Sequence, residues 1–197
     1  FNRKDYGDTG NTQLKSVEFS KNLTYIPEDT SAMFYNCANL TSIILPEGMT
    51  SIKGNMFYQC TNLKSITIPN SVTYIGMFAF ADCISLTEVK IGNGVREIWE
   101  HAFDGCVLLE SITLPDEIIY IGDGLFDRTK YFDNEENWEN DVLYCGNYLI
   151  STRPSLSGDY EVKSGTKVIA DIAFYDCTEL KSVKFPESVV SIGCYAF

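Results

Sequence analysis

Apolar residues recur along the chain in a fixed frame of 23 positions. Phenylalanine occupies one position of the frame, at Phe34, Phe57, Phe80, Phe103 and Phe126. Cysteine follows three residues later in the frame, at Cys37, Cys60, Cys83 and Cys106. Periods of about 20 to 50 residues indicate repeat architectures, and this one is too short for a propeller blade or a two-helix unit. Each repeat is therefore predicted to be one coil of a solenoid.

Within each repeat, apolar and polar residues alternate over a short segment that ends at proline or glycine. The segment Ile66-Thr67-Ile68 before Pro69 is an example, and its period of two predicts a strand with one face in the core. Proline lacks an N–H donor and cannot continue a central strand, so it marks a corner of the coil. A second short extended segment follows the corner, and the arc around Phe80 is expected to be a turn or a short helix.

Stacked coils place equivalent residues about 4.8 Å apart and build a core from columns of phenylalanine, leucine and isoleucine. Residues 1–197 are predicted to form a single domain with two irregular regions. The first is the amino-terminal end, residues 1–13. The second is an acidic segment at about 127–159, where apolar runs flank Gly146-Asn147 and predict a β-hairpin. This region is expected to replace one coil without breaking the stack.

Two stretches carry a closer signature, Ile75-Gly76-Met77-Phe78-Ala79-Phe80 and Ile192-Gly193-Cys194-Tyr195-Ala196-Phe197. Together with the F-x-x-C-x-x-L unit, the L-x-x-I-x-I pattern and the proline corner, they resemble the BspA-like leucine-rich repeats. The resemblance implies a leucine-rich repeat solenoid of about eight coils, rich in parallel β-ladders, with short helical turns and a β-hairpin insert. It also implies a secreted or surface-displayed protein that adheres to host matrix or cell-surface proteins.

Charge and hydropathy exclude some partners. The chain has 27 acidic and 15 basic residues and a net charge of −12. Because nucleic-acid binders need clustered Lys and Arg, nucleic acid is not an expected partner. No apolar run approaches the roughly 20 residues of a transmembrane helix, so no membrane-spanning segment is expected. The chain starts at Phe1 without a leader and stops at Phe197, which suggests a fragment of a longer protein.

The seven cysteines are expected to be thiols. Zinc sites use close pairs such as C-x-x-C, which are absent, and parallel stacking keeps Cβ atoms farther apart than the ~3.8 Å of a disulfide. Free cysteine behaves as a small buried hydrophobe, which suits the in-frame positions. Cys145 and Cys194 lie outside the frame, and we expect them to be more exposed.

No catalytic, metal or cofactor site is predicted. His101 is the only histidine and is expected to be a solvated turn residue without a partner. The sequence lacks G-x-S-x-G, a phosphate-binding glycine loop and H-E-x-x-H. The acidic stretch 133–141 has the oxygen ligands that calcium prefers but not the spacing of an EF-hand loop, so a solvated loop is favoured. The chain is therefore predicted not to be an enzyme.

The exposed residues of the first strand in each coil form the first candidate binding surface, here called the strand face: Ser42, Ile44, Ser65, Thr67, Glu88, Lys90, Ser111 and Thr113. Small hydroxyls dominate this face, which fits either a solvated surface or a broad, weak recognition surface. A second candidate is the aromatic column of Tyr74, Trp99 and Tyr120, because solenoids bind large partners on extended faces. Two functions stay open: a protein-binding or adhesion module, and a spacer that projects another domain from the cell surface.

Overall fold

A computed structural model describes residues 10–20, 23 and 31–197. The first nine residues of the amino-terminal end lie outside the described residues, and residues 10–13 contain neither strand nor helix. The strands are β1 Ser16–Glu18, β2 Ser42–Ile44, β3 Ser51–Ile52, β4 Ser65–Ile68, β5 Tyr74–Ile75, β6 Glu88–Ile91, β7 Glu97–Ile98, β8 Tyr120–Ile121, β9 Trp138–Glu139, β10 Val142–Cys145, β11 Tyr148–Thr152, β12 Gly158–Glu161, β13 Val168–Ile169, β14 Leu180–Lys184 and β15 Ser191–Ile192. One α-helical turn, α1 Lys130–Asp133, precedes a 3₁₀ turn, Glu135–Asn137.

The described residues form a solenoid of about seven turns, close to the predicted number. Parallel pairs join residues one repeat apart, as in Ser65 with Glu88 and Tyr74 with Glu97. The second row of strands is continuous through β3, β5, β7 and β8. The first row consists of three separate two-stranded sheets, β1–β2, β4–β6 and β12–β14. The flat serine and threonine sheet that the pattern predicts is therefore interrupted.

The arc that carries the phenylalanine is a series of tight turns rather than a helix, and it is here called the turn edge. Alternate N–H groups donate to carbonyl groups of the next coil, as from Phe80 to Ala102 at 2.9 Å and from Asp82 to Asp104 at 2.8 Å. Phe78 and Asp82 have φ angles of 55° and 58°. These left-handed residues interrupt any helix, and the hydrogen bonds run along the solenoid instead of around it.

Phenylalanine rings form the central column of the core. Phe57 and Phe80 lie 5.2 Å apart and Phe80 and Phe103 lie 5.3 Å apart, in each case with ring planes 2° from parallel. All three side chains are fully buried. The cysteine column lies beside them, and the Cys83 thiol donates to the Phe57 carbonyl of the preceding coil at 3.1 Å. The repeat therefore buries a small apolar side chain whose thiol adds a second hydrogen bond to a carbonyl that also accepts from the Cys60 N–H at 3.1 Å.

We expect Phe80→Ala to lower the free energy of unfolding by about 3–5 kcal/mol, because it removes one ring from the closed column and leaves a cavity. Tyr195→Ala is the control, since the Tyr195 side chain is 84% exposed, and it should change stability by no more than about 0.5 kcal/mol. Urea unfolding monitored by circular dichroism measures both. Equal losses for the two variants would contradict a core organised around this column.

The predicted hairpin is present. Strands β10 and β11 are antiparallel and meet at Gly146-Asn147, where Gly146 has a φ of 59°. Strand β11 then pairs in parallel with β13, so the hairpin joins the stack. Thr129 replaces the in-frame cysteine; its buried Oγ1 donates to the Phe126 carbonyl at 2.6 Å and accepts from the Phe132 N–H at 3.1 Å. The Thr129 side chain thereby caps the start of helix α1, at the point where the other coils continue with the repeat.

Both faces of the hairpin are buried, whereas strands of the first row such as β4 keep one face exposed. One face contributes Leu143, Cys145, Tyr148 and Ile150 to the larger amino-terminal core. The opposite face contributes Val142, Tyr144 and Leu149 to a smaller core that contains Ile169 and Phe174. The insert therefore lies between two hydrophobic cores.

Tyr148 changes the hydrogen bonding of the coil before the hairpin. In the preceding coils the corner closes directly, as from the Val72 N–H to the Pro69 carbonyl at 3.1 Å. At the equivalent corner the Tyr148 hydroxyl donates to the Pro115 carbonyl at 2.6 Å and accepts from the Ile118 N–H at 3.3 Å. Within the described chain, residues 111–114 make no backbone-to-backbone hydrogen bond. A cleft of about 480 Å³ separates them from β6.

Replacing Tyr148 by Phe should cost about 1–3 kcal/mol of folding free energy, because the Pro115 carbonyl and the Ile118 N–H both lose their partner. The matched substitution is Tyr175→Phe, at a side chain that is 57% exposed, and it should be nearly neutral. Chemical denaturation compares the two. If Tyr148→Phe were as stable as the parent protein, the hydroxyl bridge would not support this corner.

Candidate partner-binding surfaces

All eight residues of the strand face are exposed, and the structure distributes them over three places. Ser42 and Ile44 lie on β2, the next four residues lie on the β4–β6 sheet, and Ser111 and Thr113 lie across the cleft. Ile44 is 75% exposed and is the large apolar side chain of the face. Lys90 and Glu88 form an ion pair of 3.0 Å, which contributes little because both are solvated. The face is broad and polar, with one apolar contact point.

The aromatic column is half-buried and bonded internally. Trp99 makes edge-to-face contacts with Tyr74 and Tyr120 at centroid distances of 5.6 and 5.5 Å. The Trp99 indole N–H donates to Glu97 at 3.0 Å, and the Tyr120 hydroxyl donates to Asp171 at 2.6 Å. Burial, followed by this hydrogen bond, raises the pKa of Tyr120. The column therefore stabilises the stack, and only part of each ring is available to a partner.

His101 does not lie free in solvent, so the expectation of an unpartnered turn residue is wrong. Its ring stacks on Phe78 at 4.9 Å, and its side chain is 29% exposed. Its Nδ1 and Nε2 atoms lie 3.8 Å from Asp104 and 3.6 Å from Asp123. Sequence reasoning missed this packing because Phe78 precedes His101 by one repeat, at a position where the residue type varies. The imidazole is held by aromatic and acidic neighbours within the turn edge.

A polar ladder on the turn edge was also missed. Arg128 binds Asp104 through two hydrogen bonds of 2.8 Å and reaches Asp82 at 3.1 Å. Gly105 lies between them, with a φ of 71°, and a Cβ atom there would lie 2.4 Å from an Asp82 oxygen. Glycine is thus required at this position because the φ angle is positive and because there is no room for a Cβ atom. The signal was present in the frame, because Asp82, Gly105 and Arg128 are each 23 residues apart.

The cysteines are all free in the structure. Burial raises the pKa of the Cys60 thiol to about 12, and that of Cys83 rises well above its usual value for the same reason. Cys194 is exposed, as expected. Cys145 is not: it is 3% exposed, and its pKa is raised by burial to about 11. The expectation for Cys145 is wrong because its strand is buried on both faces.

The acidic stretch 133–141 is partly neutralised by basic residues from later in the chain. Arg153 binds both carboxylate oxygens of Glu135 at 2.8 Å and lies 4.4 Å above the ring of Trp138. Lys163 pairs with Glu139 at 2.7 Å. In the described ranges, no group of three or more His, Cys, Asp or Glu residues is arranged to hold a metal ion.

Comparison with known proteins identifies the repeats. A model of the BspA type leucine-rich repeat region, in six copies, matches residues 28–157 and 157–197. The chain belongs to this family. No curated protein matches it. The BspA-type family explains why one frame of phenylalanine, cysteine and leucine extends over most of the sequence.

Solved structures of bacterial leucine-rich repeat proteins resemble the chain. A protein of Bacteroides ovatus is 22% identical over 95% of this chain and 65% of its own, with a TM-score of 0.51, and shares the fold. A leucine-rich cell surface protein of Faecalibacterium prausnitzii is 28% identical over 85% of this chain and 54% of its own, with a TM-score of 0.46. The chain thus spans less than two thirds of either protein. Among the described residues, no helix has the length and apolar character to cross a membrane.

Thiol reactivity should separate Cys194 from the buried cysteines. At pH 8, a pKa of about 11 leaves roughly one Cys145 thiol in a thousand ionised, and the thiolate is the reactive form. We expect Ellman's reagent to give a rapid phase that Cys194→Ser removes and Cys145→Ser leaves intact. All seven thiols should react in denaturant. Loss of the rapid phase in Cys145→Ser would show that this strand is accessible.

Proposed function

We propose that the solenoid is a non-catalytic protein-binding or adhesion module of a secreted or cell-surface protein. The observation that carries the proposal is the exposed strand face on a scaffold whose core is built from columns of apolar side chains. Side chains held at a fixed rung spacing lose little freedom when a partner binds. An extended face of hydroxyls with an exposed isoleucine fits a large protein surface better than a small ligand.

Membership of the BspA-type family supports a partner among host matrix or cell-surface proteins. The Faecalibacterium relative is described as a cell surface protein, which supports the same location for this chain. The net charge of −12 disfavours nucleic acid as the partner.

Two observations support a non-catalytic role. The sole histidine packs in the turn edge between Phe78 and two aspartates. The Cys106 thiol is fully buried and donates to the Phe80 carbonyl at 3.2 Å, so it is committed to the core. His101 and Cys106 therefore serve packing, and the buried Cys106 thiol is not an activated nucleophile.

A spacer that projects another domain from the cell surface is the second candidate. The continuous ladder of β3, β5, β7 and β8 favours it, because such a row resists bending whether or not a face binds. The polar character of the strand face is also compatible with simple solvation.

The two functions differ in their response to changes on the strand face. We expect the protein to bind an immobilised matrix protein such as fibronectin, laminin or collagen, and the double variant Ser65→Arg/Thr67→Arg to bind about tenfold more weakly, as for loss of interface contacts worth about 1.4 kcal/mol. Surface plasmon resonance measures both. Ser157→Arg/Thr178→Arg is the control, since it adds the same charge at exposed positions outside the strand face.

If both double variants bound the matrix protein equally weakly, the binding site would not be the strand face. Absence of binding by the protein, on matrix proteins and on host cells, would favour the spacer. Circular dichroism confirms that each variant is folded before binding is compared.

A further inference from the structure

The turn edge is interrupted after the coil that contains Phe126. In the coils before it, alternate N–H groups of the turn edge donate to carbonyl oxygens of the next coil at 2.7–3.3 Å. The equivalent N–H groups of Gly124, Phe126 and Arg128 donate to no backbone acceptor in the described part of the chain. The acceptor side is also altered, because the Ala173 carbonyl accepts from the Thr152 hydroxyl at 2.7 Å. At the turn edge the hairpin has separated two coils that still bond on the second row, where the Asp171 N–H donates to the Ile121 carbonyl at 3.0 Å.

A pocket of about 230 Å³ occupies this interruption. Its lining combines backbone of the turn edge, acidic side chains, and rings from both sides of the gap: Gly124, Phe126, Asp123, Asp127, Phe132 and Tyr175. Unpaired backbone donors next to a concave surface are what an edge strand offers to an added peptide segment. The pocket therefore lies where a directly stacked coil would otherwise supply its carbonyl groups.

The acidic charge of the pocket determines which kind of side chain a bound segment must carry. Asp127 makes no ion pair or side-chain hydrogen bond with a described residue, and Arg128 beside it is committed to Asp104 and Asp82. Burial, and then the nearby Asp104, raises the pKa of Asp127. No Lys or Arg lines the pocket among the described residues. A cation entering it would compensate the carboxylate, whereas a phosphate or carboxylate would be repelled.

We propose that this pocket binds an extended segment of a partner protein that carries a lysine or arginine. Carbonyl oxygens of the segment accept from the Gly124 and Phe126 N–H groups, as carbonyl oxygens of the next coil do elsewhere on the turn edge. The basic side chain pairs with Asp127, and its aliphatic stem lies against Phe132 and Tyr175. The site is separate from the strand face, so the two proposals can fail independently.

Nuclear magnetic resonance of the ¹⁵N-labelled protein tests the proposal with the peptide acetyl-Ala-Ala-Arg-Ala-Ala-amide. We expect saturable binding in which the amide signals of Gly124 and Phe126 move most. Asp127→Asn should weaken the affinity about fivefold, as for loss of one partly solvated ion pair. Glu187→Gln is the matched control, since it neutralises an exposed carboxylate outside the pocket and should leave the affinity unchanged.

Ser151→Arg provides a second test, because Ser151 also lines the pocket and an internal cation there should abolish peptide binding. A peptide with citrulline in place of arginine should bind more weakly than its parent. The proposal is overturned if no saturable binding occurs, if Asp127→Asn binds as tightly as the parent protein, or if the Gly124 and Phe126 signals do not move. Movement of those signals by inorganic phosphate, but not by the peptide, would also overturn it.

Discussion

Coil-to-coil stacking is the interaction on which the rest of the structure depends. Rings of the phenylalanine column lie 5.2–5.3 Å apart between Phe34 and Phe103, and the turn-edge N–H groups reach the next coil at the same time. A single coil has too little apolar surface to fold alone, so the repeat is stable only through its neighbours. The cysteine column suits this spacing, because the side chain is small and its thiol adds a second hydrogen bond to a phenylalanine carbonyl that already accepts from a backbone N–H.

The features that could be predicted from the sequence are those that each repeat encodes locally. The phenylalanine and cysteine columns recur in one frame, and Gly146-Asn147 between two apolar runs predicts the hairpin. Burial of Cys145 could not be predicted in this way, because it depends on both faces of the hairpin meeting a core. The contacts of His101 with Phe78 and Asp123 depend on the neighbouring coils, at frame positions where the residue type varies.

The candidate binding surfaces also differ in how far the sequence predicts them. The exposure of the strand face follows from strict alternation, and its residues were identified from the pattern alone. The separation of Ser111 and Thr113 from the β4–β6 sheet could not be predicted, since Tyr148 from the hairpin holds the corner at Pro115 and Ile118. No sequence motif predicts the pocket on the turn edge. It arises where two coils that obey the repeat are kept apart by a segment that does not.

The hairpin has a consequence for how the molecule responds to load. Because its two faces serve different cores, the hairpin is a wall that both cores share, and Val168 and Ala170 of the following coil also reach the amino-terminal core. Unfolding of the hairpin would uncover apolar side chains of both cores at once, at a cost that grows with the apolar area exposed. Under a pulling force the array should therefore resist extension up to one threshold and then yield on both sides of the insert together.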